Sequence, residues 1–446
     1  MHLDGAASYG RGHVGQGILD ARLGEAGLSR LADGTLAMGE VPLTAIAEQV
    51  GTPAYCYDAL TITARYQALD HAFGALPHRI CYAVKANSNL AILRLLARLG
   101  AGADIVSGGE LLRALTAGFP ADRIVFSGVG KTDEELLAAM AAGVGHINVE
   151  SLSELRRLGM LADLRGATVR VGIRFNPDVT ADTHPYISTG KGGVKFGIAV
   201  DQLDEALAIL QESSGLELGA IAMHLGSQLL ATAPYQAGLN RLLELLATVR
   251  AAGHTPDVLD IGGGLGIRYH DEVPLTPAQW LAPLRDALQE SGCVIGVEPG
   301  RFLVGNAGVL LTRVVHRKHS GGREIAVVDA GMNDLLRPSL YKAWHDILPV
   351  SAPSEPEVPM DVVGPVCETG DFLALERSLP PVGAGDLLAV LGAGAYGFVM
   401  SSNYNSRARA AEVLVEGGRW GVIRPRERLT DLFRDEIADP FADESP

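Results

Sequence analysis

Between residues 79 and 298 eight short apolar runs alternate with segments of helical period, and this rhythm limits the chain to few architectures. The runs are Arg79–Lys85, Ala103–Ser107, Arg123–Ser127, His146–Glu150, Thr168–Phe175, Leu216–His224, Asp257–Ile261 and Cys293–Glu298. Strands that alternate with helices build βαβ units and a parallel sheet, and eight such units predict a (β/α)8 TIM-type barrel. The helix signals agree: Asn87, Ser88 and Asn89 offer N-caps before LAILRLLARL, and Gly100 stands where the chain leaves a helix. TDEELLAAMAAG reads the same way. The stretch NPDVTADTHPYISTGKGGVKFG after the fifth run is too long for an ordinary connection, and long loops of this kind serve a site. After about residue 308 the rhythm gives way to valine-rich runs, VLLTRVVHRK, REIAVVD, MDVVG, DLLAVLG and AEVLVEG, parted by Gly and Pro turns. That pattern predicts an all-β domain.

The expected chain is therefore α/β: a flexible tail over 1–34, a segment over 35–50 joining the β domain, a barrel over 51–307, and a sandwich-like or barrel-like β domain over 308–446. Within the joining segment, Leu36–Val41 reads as an added strand of the β domain. At 446 residues, 47% of them hydrophobic and 20% charged, the chain has ample material for two cores. A net charge of −15 with scattered basic residues excludes nucleic acid as a partner, which leaves small molecules. No apolar run is long enough to cross a bilayer, and the opening residues MHLDGAASYGRGHVGQG lack the apolar core of a secretory signal. Cys56, Cys81, Cys293 and Cys367 show no metal-type spacing, so reduced thiols in a cytoplasm and no metal are expected.

Four features converge on one face of the expected barrel. Lys85 closes the apolar run RICYAVK, where an ammonium is costly to desolvate unless paired or neutralised. Read alone, it serves equally as a snorkelling side chain or as an amine nucleophile. DIGGGLG puts Gly262, Gly263 and Gly264 after the seventh run, where barrels build phosphate sites. A plain tight turn gives the same pattern, and neither the P-loop nor the dinucleotide-binding spacing fits. EPGR brings Glu298, Gly300 and Arg301 to the end of the eighth run. The carboxylate suits a pyridinium nitrogen and the arginine suits an anion, or the two form a structural ion pair. His224, in MHLGSQ, can lie flat on a planar ring or sit as a satisfied core residue, and Ser227 can donate to phosphate. Jointly these residues describe a pyridoxal-phosphate pocket: the lysine forms an imine, the glycines with Arg301 or Ser227 hold the phosphate, and Glu298 keeps the ring nitrogen protonated.

The same residues stand in longer motifs: YAVKAN (Tyr82–Asn87), FNPDVTADTHPYISTGKGGVKFG (Phe175–Gly197), HLGSQ (His224–Gln228), GGGLG (Gly262–Gly266) and EPGR (Glu298–Arg301). Beyond the barrel come MNDLLRPSLY (Met332–Tyr341), GPVCETGDFLA (Gly364–Ala374) and GAYGFVMSSNYNSRARAAEVLV (Gly394–Val415). In these motifs the chain resembles the barrel-type pyridoxal-phosphate decarboxylases related to alanine racemase, and among them the diaminopimelate decarboxylases. The resemblance runs from about residue 35 to the end.

It implies that Lys85 is the Schiff-base lysine, that His224 stacks on the cofactor ring, that Glu298 meets its nitrogen and that Tyr396 touches it. It further implies that Arg301, Arg337 and Tyr341 bind the substrate's distal carboxylate and that Glu368 meets its distal amino-acid end. Cys367 is the implied proton donor, reaching in from the partner subunit of a homodimer. Two arginines and a glutamate far from the imine suit a substrate with amino-acid groups at both ends, whereas a diamine-forming decarboxylase needs an acidic distal pocket. Arg337 otherwise reads as a solvated arginine, and Cys367 as a small buried thiol. One departure stands out: where relatives carry NSRPR this chain has Asn405-Ser406-Arg407-Ala408-Arg409, and the missing proline is expected to loosen that loop. The implied reaction is decarboxylation of meso-2,6-diaminopimelate to L-lysine and CO2, with pyridoxal 5'-phosphate as cofactor. The rival readings are a sister decarboxylase of carboxynorspermidine, ornithine or a D-amino acid, and an inactive homologue that binds a partner.

Overall fold

Strands buried on both faces are mostly apolar, and the eight runs of the barrel region follow that rule apart from Asp104, His146, Asn148, Arg174 and Asp260. In the computed structural model, which describes residues 22–179, 195–353, 355–438 and 440, they form β1 (His78–Ala83), β2 (Gly102–Ile105), β3 (Ile124–Phe126) and β4 (His146–Val149). β5 (Val169–Asn176), β6 (Leu216–Ala222), β7 (Val258–Asp260) and β8 (Val294–Val297) follow. Every neighbouring pair is parallel, and β8 pairs with β1 in the register Ile295↔His78, closing the eight strands into a barrel. All C-terminal strand ends therefore share one mouth.

The intervening helices begin and end where their caps dictate. Asn89 accepts from the N–H of Ala91 to start Leu90–Arg98, and Gly100 follows that helix at φ +94°. Thr132 and Glu135 form a reciprocal capping box for Asp133–Ala142, which ends on left-handed Gly143. Residues 180–194 of the long connection after β5 lie outside the described residues. Its far end returns as Ile198–Ala199, parallel to β5. Among the described residues no helix is long and apolar enough to cross a membrane.

The chain divides into two compact units, with boundaries unlike those read from the sequence. Ala59–Gly308 and the later segment Gly392–Met400 make the barrel unit. The β unit takes Val309–Leu391, the described residues from Ser401 on and those up to Asp58. Ala54–Asp58, expected within the barrel, instead lies in the sheet of the β unit, parallel to Ala411–Glu416 and next to Gly308–Ser320. That sheet continues through Arg323–Val328, Val358–Val363 and Phe372–Leu379 on one side and Arg419–Arg424 on the other. All five residues of AYCYD are buried, which a central strand requires.

One further expectation needs correction. Leu28–Arg30, placed in the tail, pairs with Leu36–Met38, and Val41–Pro42 completes a three-stranded antiparallel sheet. Leu36–Met38 is thus a strand of the β unit, in a small sheet of its own. Its apolar side chains still join that unit's core, where Leu36, Met38 and Val41 pack with Cys56, Val309, Leu311, Val413 and Val415.

Candidate active site

At the end of β1 the chain tightens into the 3-10 turn Val84–Ala86, so Lys85 projects from a turn rather than from the strand itself. Its ammonium donates to Oδ2 of Asp104 at 2.6 Å, and that carboxylate, on β2, is fully buried. Burial alone would lower the basicity of Lys85, but the charges of Asp104 and Glu298 outweigh it and hold the ammonium above its ordinary value.

Glu298 follows β8 directly and is buried. Burial, reinforced by the charges of Asp104 and Asp260, holds its carboxyl well above the usual carboxylate range, against the pull of Lys85 and Arg174. Asp260, the last residue of β7, is pushed by burial up to about 7, against the N–H of Gly262 that it accepts at 2.8 Å. A carboxyl in this environment keeps its proton to higher pH than an exposed one.

His224 lies two residues beyond β6, with Nδ1 3.8 Å from Oε2 of Glu298. The backbone N–H of Gly263 donates to that same Nδ1 at 3.2 Å. Nδ1 is therefore the unprotonated nitrogen, and the neutral ring carries its proton on Nε2. Burial, then the positive charges of Arg174 and Lys85, hold the imidazole well below its ordinary pKa, in agreement with that tautomer.

The glycine turn after β7 is set by close backbone packing. A Cβ on Gly263 would lie 2.1 Å from the carbonyl oxygen of Glu298, and one on Gly262 would lie 2.4 Å from that of Met223. Gly262 and Gly264 also take φ of +73° and +100°, where a side chain is strained. Beside the turn, Arg301 donates to the hydroxyl of Ser227 at 2.9 Å and to that of Tyr269. Its guanidinium stands 4.8 Å from the ring centroid of Tyr396. Tyr396 reaches this place because its segment belongs to the barrel unit, where its N–H donates to the carbonyl of Ala86 at 2.8 Å. At Gly300 a Cβ would press on the side chains of Ala83 and Ala86, at 3.1 and 3.0 Å.

The barrel mouth thus gathers Lys85, His224, Ser227, Gly262, Gly263, Gly264, Glu298, Gly300, Arg301 and Tyr396. An amine, a neutral imidazole, a high-pKa acid and a cation with a hydroxyl at a glycine turn can together hold a planar anionic ring and work on a carbonyl. The other expected residues lie in the β unit. Arg337 opens the short helix Arg337–Tyr341 and is buried, with Nη1 2.9 Å from Nε2 of His345. Cys367 is an exposed thiol whose N–H donates to Oδ1 of Asn405 at 2.7 Å, and the carboxylate of Glu368 faces the hydroxyl of Tyr404 at 3.5 Å. In the loop without its proline, Arg407 donates to the carbonyl of Asp329 at 2.7 Å and Arg409 to that of Ser401 at 2.6 Å.

A family model, that of the pyridoxal-binding domain of pyridoxal-dependent decarboxylases, matches residues 60–305. The diaminopimelate decarboxylase of Pseudomonas aeruginosa is 49% identical over 400 residues, which cover 90% of this chain and 96% of that protein. The enzyme of the same name from Vibrio cholerae is 47% identical, over 92% of this chain and 98% of its own. The crystal structure of diaminopimelate decarboxylase from Helicobacter pylori complexed with L-lysine superposes with a TM-score of 0.85 at 40% identity, covering 88% of this chain and 99% of that one.

This chain belongs to the diaminopimelate decarboxylase family.

Some residues at the mouth of this diaminopimelate decarboxylase family member went unmarked in the sequence. Asp104 and Asp260 each place a carboxylate inside an otherwise apolar strand, in GADI and VLD, and a charge buried in a barrel strand needs a partner at the site. That signal was available in both segments. Tyr269 carried none, because only the fold brings the loop after β7 beside Arg301.

Proposed function

We propose that this chain decarboxylates meso-2,6-diaminopimelate to L-lysine and CO2 with pyridoxal 5'-phosphate bound through Lys85. The observation that carries the reading is the meeting of Lys85, His224 and Glu298 at one barrel mouth, with the Arg301–Ser227 pair at the glycine turn. The donor set fits the cofactor. Lys85 offers the amine for its aldehyde, the Arg301 guanidinium with the Ser227 hydroxyl and the glycine turn suits its phosphate, and His224 offers a flat neutral face to its ring.

When bound, pyridoxal phosphate supplies an electron sink that lets the substrate carboxyl leave as CO2. Glu298 would offer its carboxylate to the ring nitrogen, whose positive charge favours the ionised form against the burial that raises this carboxyl's pKa. Asp104 holds Lys85 Nζ as an ammonium, so the chain keeps a proton at that atom for the carbon that loses CO2. Asp104 also gives Lys85 a resting partner when the substrate amine takes its place.

The distal half of the substrate, a second amino-acid group, calls for both signs of charge. Arg301, Arg337 and Tyr341 take its carboxylate, and Glu368 takes its ammonium. The exposed Cys367 thiol comes from the second copy of a homodimer and is the alternative proton donor. All four cysteines are free thiols, which supports a cytoplasmic enzyme.

The test is release of lysine and CO2 from meso-diaminopimelate by the purified protein supplied with pyridoxal phosphate. A Lys85→Ala variant that releases CO2 at the wild-type rate overturns the assignment.

A further inference from the structure

Two loops of the β unit start side by side. Arg323–Val328 and Val358–Val363 run parallel in the register Val327↔Val363, so residues 329–341 and 364–371 leave the same end of neighbouring strands. The first loop carries Arg337 and Tyr341, the second Cys367 and Glu368. The second also closes a hairpin, with Phe372 opposite Val363.

Asp371 stands where the two loops meet. Its buried carboxylate accepts from the N–H of Met332 at Oδ1 and from the N–H of Val366 at Oδ2, each at 2.6 Å. Short bonds to a charged acceptor are the strong kind, and a buried carboxylate stripped of its donors is costly. Only bare backbone fits beside it: a Cβ on Gly364 would lie 2.4 Å from Oδ2 of Asp371 and 2.6 Å from Cα of Gly331. The hydroxyl of Ser339, within the helix that Arg337 opens, donates to the carbonyl of Gly370 at 2.7 Å. Around Cys367 the loop is drawn tight, since the N–H of Asp371 donates to the carbonyl of Glu368 at 3.0 Å and the N–H of Gly364 to that of Asp371 at 3.1 Å. A shift of this carboxylate therefore moves both loops.

On the proposed arrangement Arg337 serves the site of its own chain and Cys367 that of the second copy. We propose that Asp371 is a positioning residue for two active sites at once, setting the distal-carboxylate contact of one and the proton donor of the other through its bonds to Met332 and Val366. The inference rests on the shared-site reading above. A residue that merely stabilised the β unit would weaken both sites alike, whereas Asp371 acts on each through a different loop.

The experiment uses cofactor-loaded dimers of two differently tagged copies, one Lys85→Ala and the other Cys367→Ala, purified through both tags. Each such dimer has one complete site, formed by Lys85 of the Cys367→Ala copy and Cys367 of the Lys85→Ala copy. Asp371→Ala is then added to either copy, and kcat and KM for meso-diaminopimelate are measured together with inhibition by L-lysine, which retains the distal carboxylate. Placed on the Cys367→Ala copy, it loosens the Arg337 loop of the complete site. KM is then expected to rise about 10-fold and lysine inhibition to weaken in parallel, with kcat little changed. Placed on the Lys85→Ala copy, it loosens the Cys367 loop, and kcat is expected to fall about 10-fold with KM and lysine inhibition nearly unchanged.

The same change in kcat and KM from either placement overturns the proposal, as does a placement without effect. If Asp371→Ala does not fold, Gly331→Ala decides, because its Cβ would lie 3.0 Å from both carboxylate oxygens of Asp371 and must displace them. A KM effect from one placement and a kcat effect from the other sustain the proposal, and an equal or absent effect overturns it. Tagged dimers that are inactive before Asp371 is altered strike the shared-site reading, and the proposal with it. Failure of wild type to turn over meso-diaminopimelate would instead strike the functional reading itself.

Discussion

The ammonium of Lys85 donates to Oδ2 of Asp104 at 2.6 Å, across the first two strands of the barrel. Asp104 opposes the burial that alone would lower the basicity of the amine. Without that carboxylate the neutral amine, which is the nucleophile, prevails at lower pH. In Asp104→Asn the rate at which pyridoxal phosphate is trapped on Lys85 by borohydride should rise at a lower pH than in wild type. A pH profile identical in the two proteins refutes this role.

Asp260 makes the cofactor-free protein sensitive to pH. Its carboxyl is raised by burial from an ordinary 3.8 to about 7. Between these values the folded state keeps a proton that the unfolded chain has released. Its stability contribution is therefore complete below the unfolded value and is lost as pH rises through the folded one. Asp260→Asn keeps an acceptor for Gly262 and removes the titration. The drop in thermal midpoint of the apo protein from about pH 5 to about pH 7.5 should be smaller in the variant. An equal or larger drop counts against the assignment.

Gly263→Ala sets a methyl 2.1 Å from a backbone carbonyl oxygen, which cannot swing aside. The turn must shift, at a cost of about 1–3 kcal/mol in stability. Because the carbonyl belongs to Glu298 and the Gly263 N–H meets His224, cofactor retention should fall too. Thermal melting and absorbance titration with pyridoxal phosphate check both effects, and a variant matching wild type in each contradicts the account.

The proposed site shared between two copies predicts complementation. On that proposal Lys85→Ala and Cys367→Ala each lack one half of it. Subunits reassorted from an equal mixture should recover about a quarter of wild-type activity, since half of the dimers hold one intact site of two. Mass spectrometry of the exchanged dimers, followed by assay, decides it: mixed dimers without activity exclude the shared arrangement.

The barrel was legible in the sequence because strands buried on both faces are dominated by apolar residues, as in VIGV, at a regular spacing. Glycine turns and strand-end residues followed from the same count. Partners distant along the chain were not legible. AYCYD reads as a strand anywhere, and nothing local says that it lies beside Ala411–Glu416. The return of Gly392–Met400 to the barrel unit, which brings Tyr396 to Arg301, is equally silent.

The position of Ala54–Asp58 also governs how such a chain can be assembled. During synthesis this pentapeptide emerges first, yet both of its sheet neighbours, Gly308–Ser320 and Ala411–Glu416, are translated hundreds of residues later. The barrel's own strands run consecutively and can close while the ribosome is still reading. An apolar strand therefore waits without hydrogen-bonding partners until the far end of the polypeptide arrives. Cutting the gene at the apparent boundary near residue 308 would produce a β fragment missing an interior strand, however intact its own sequence.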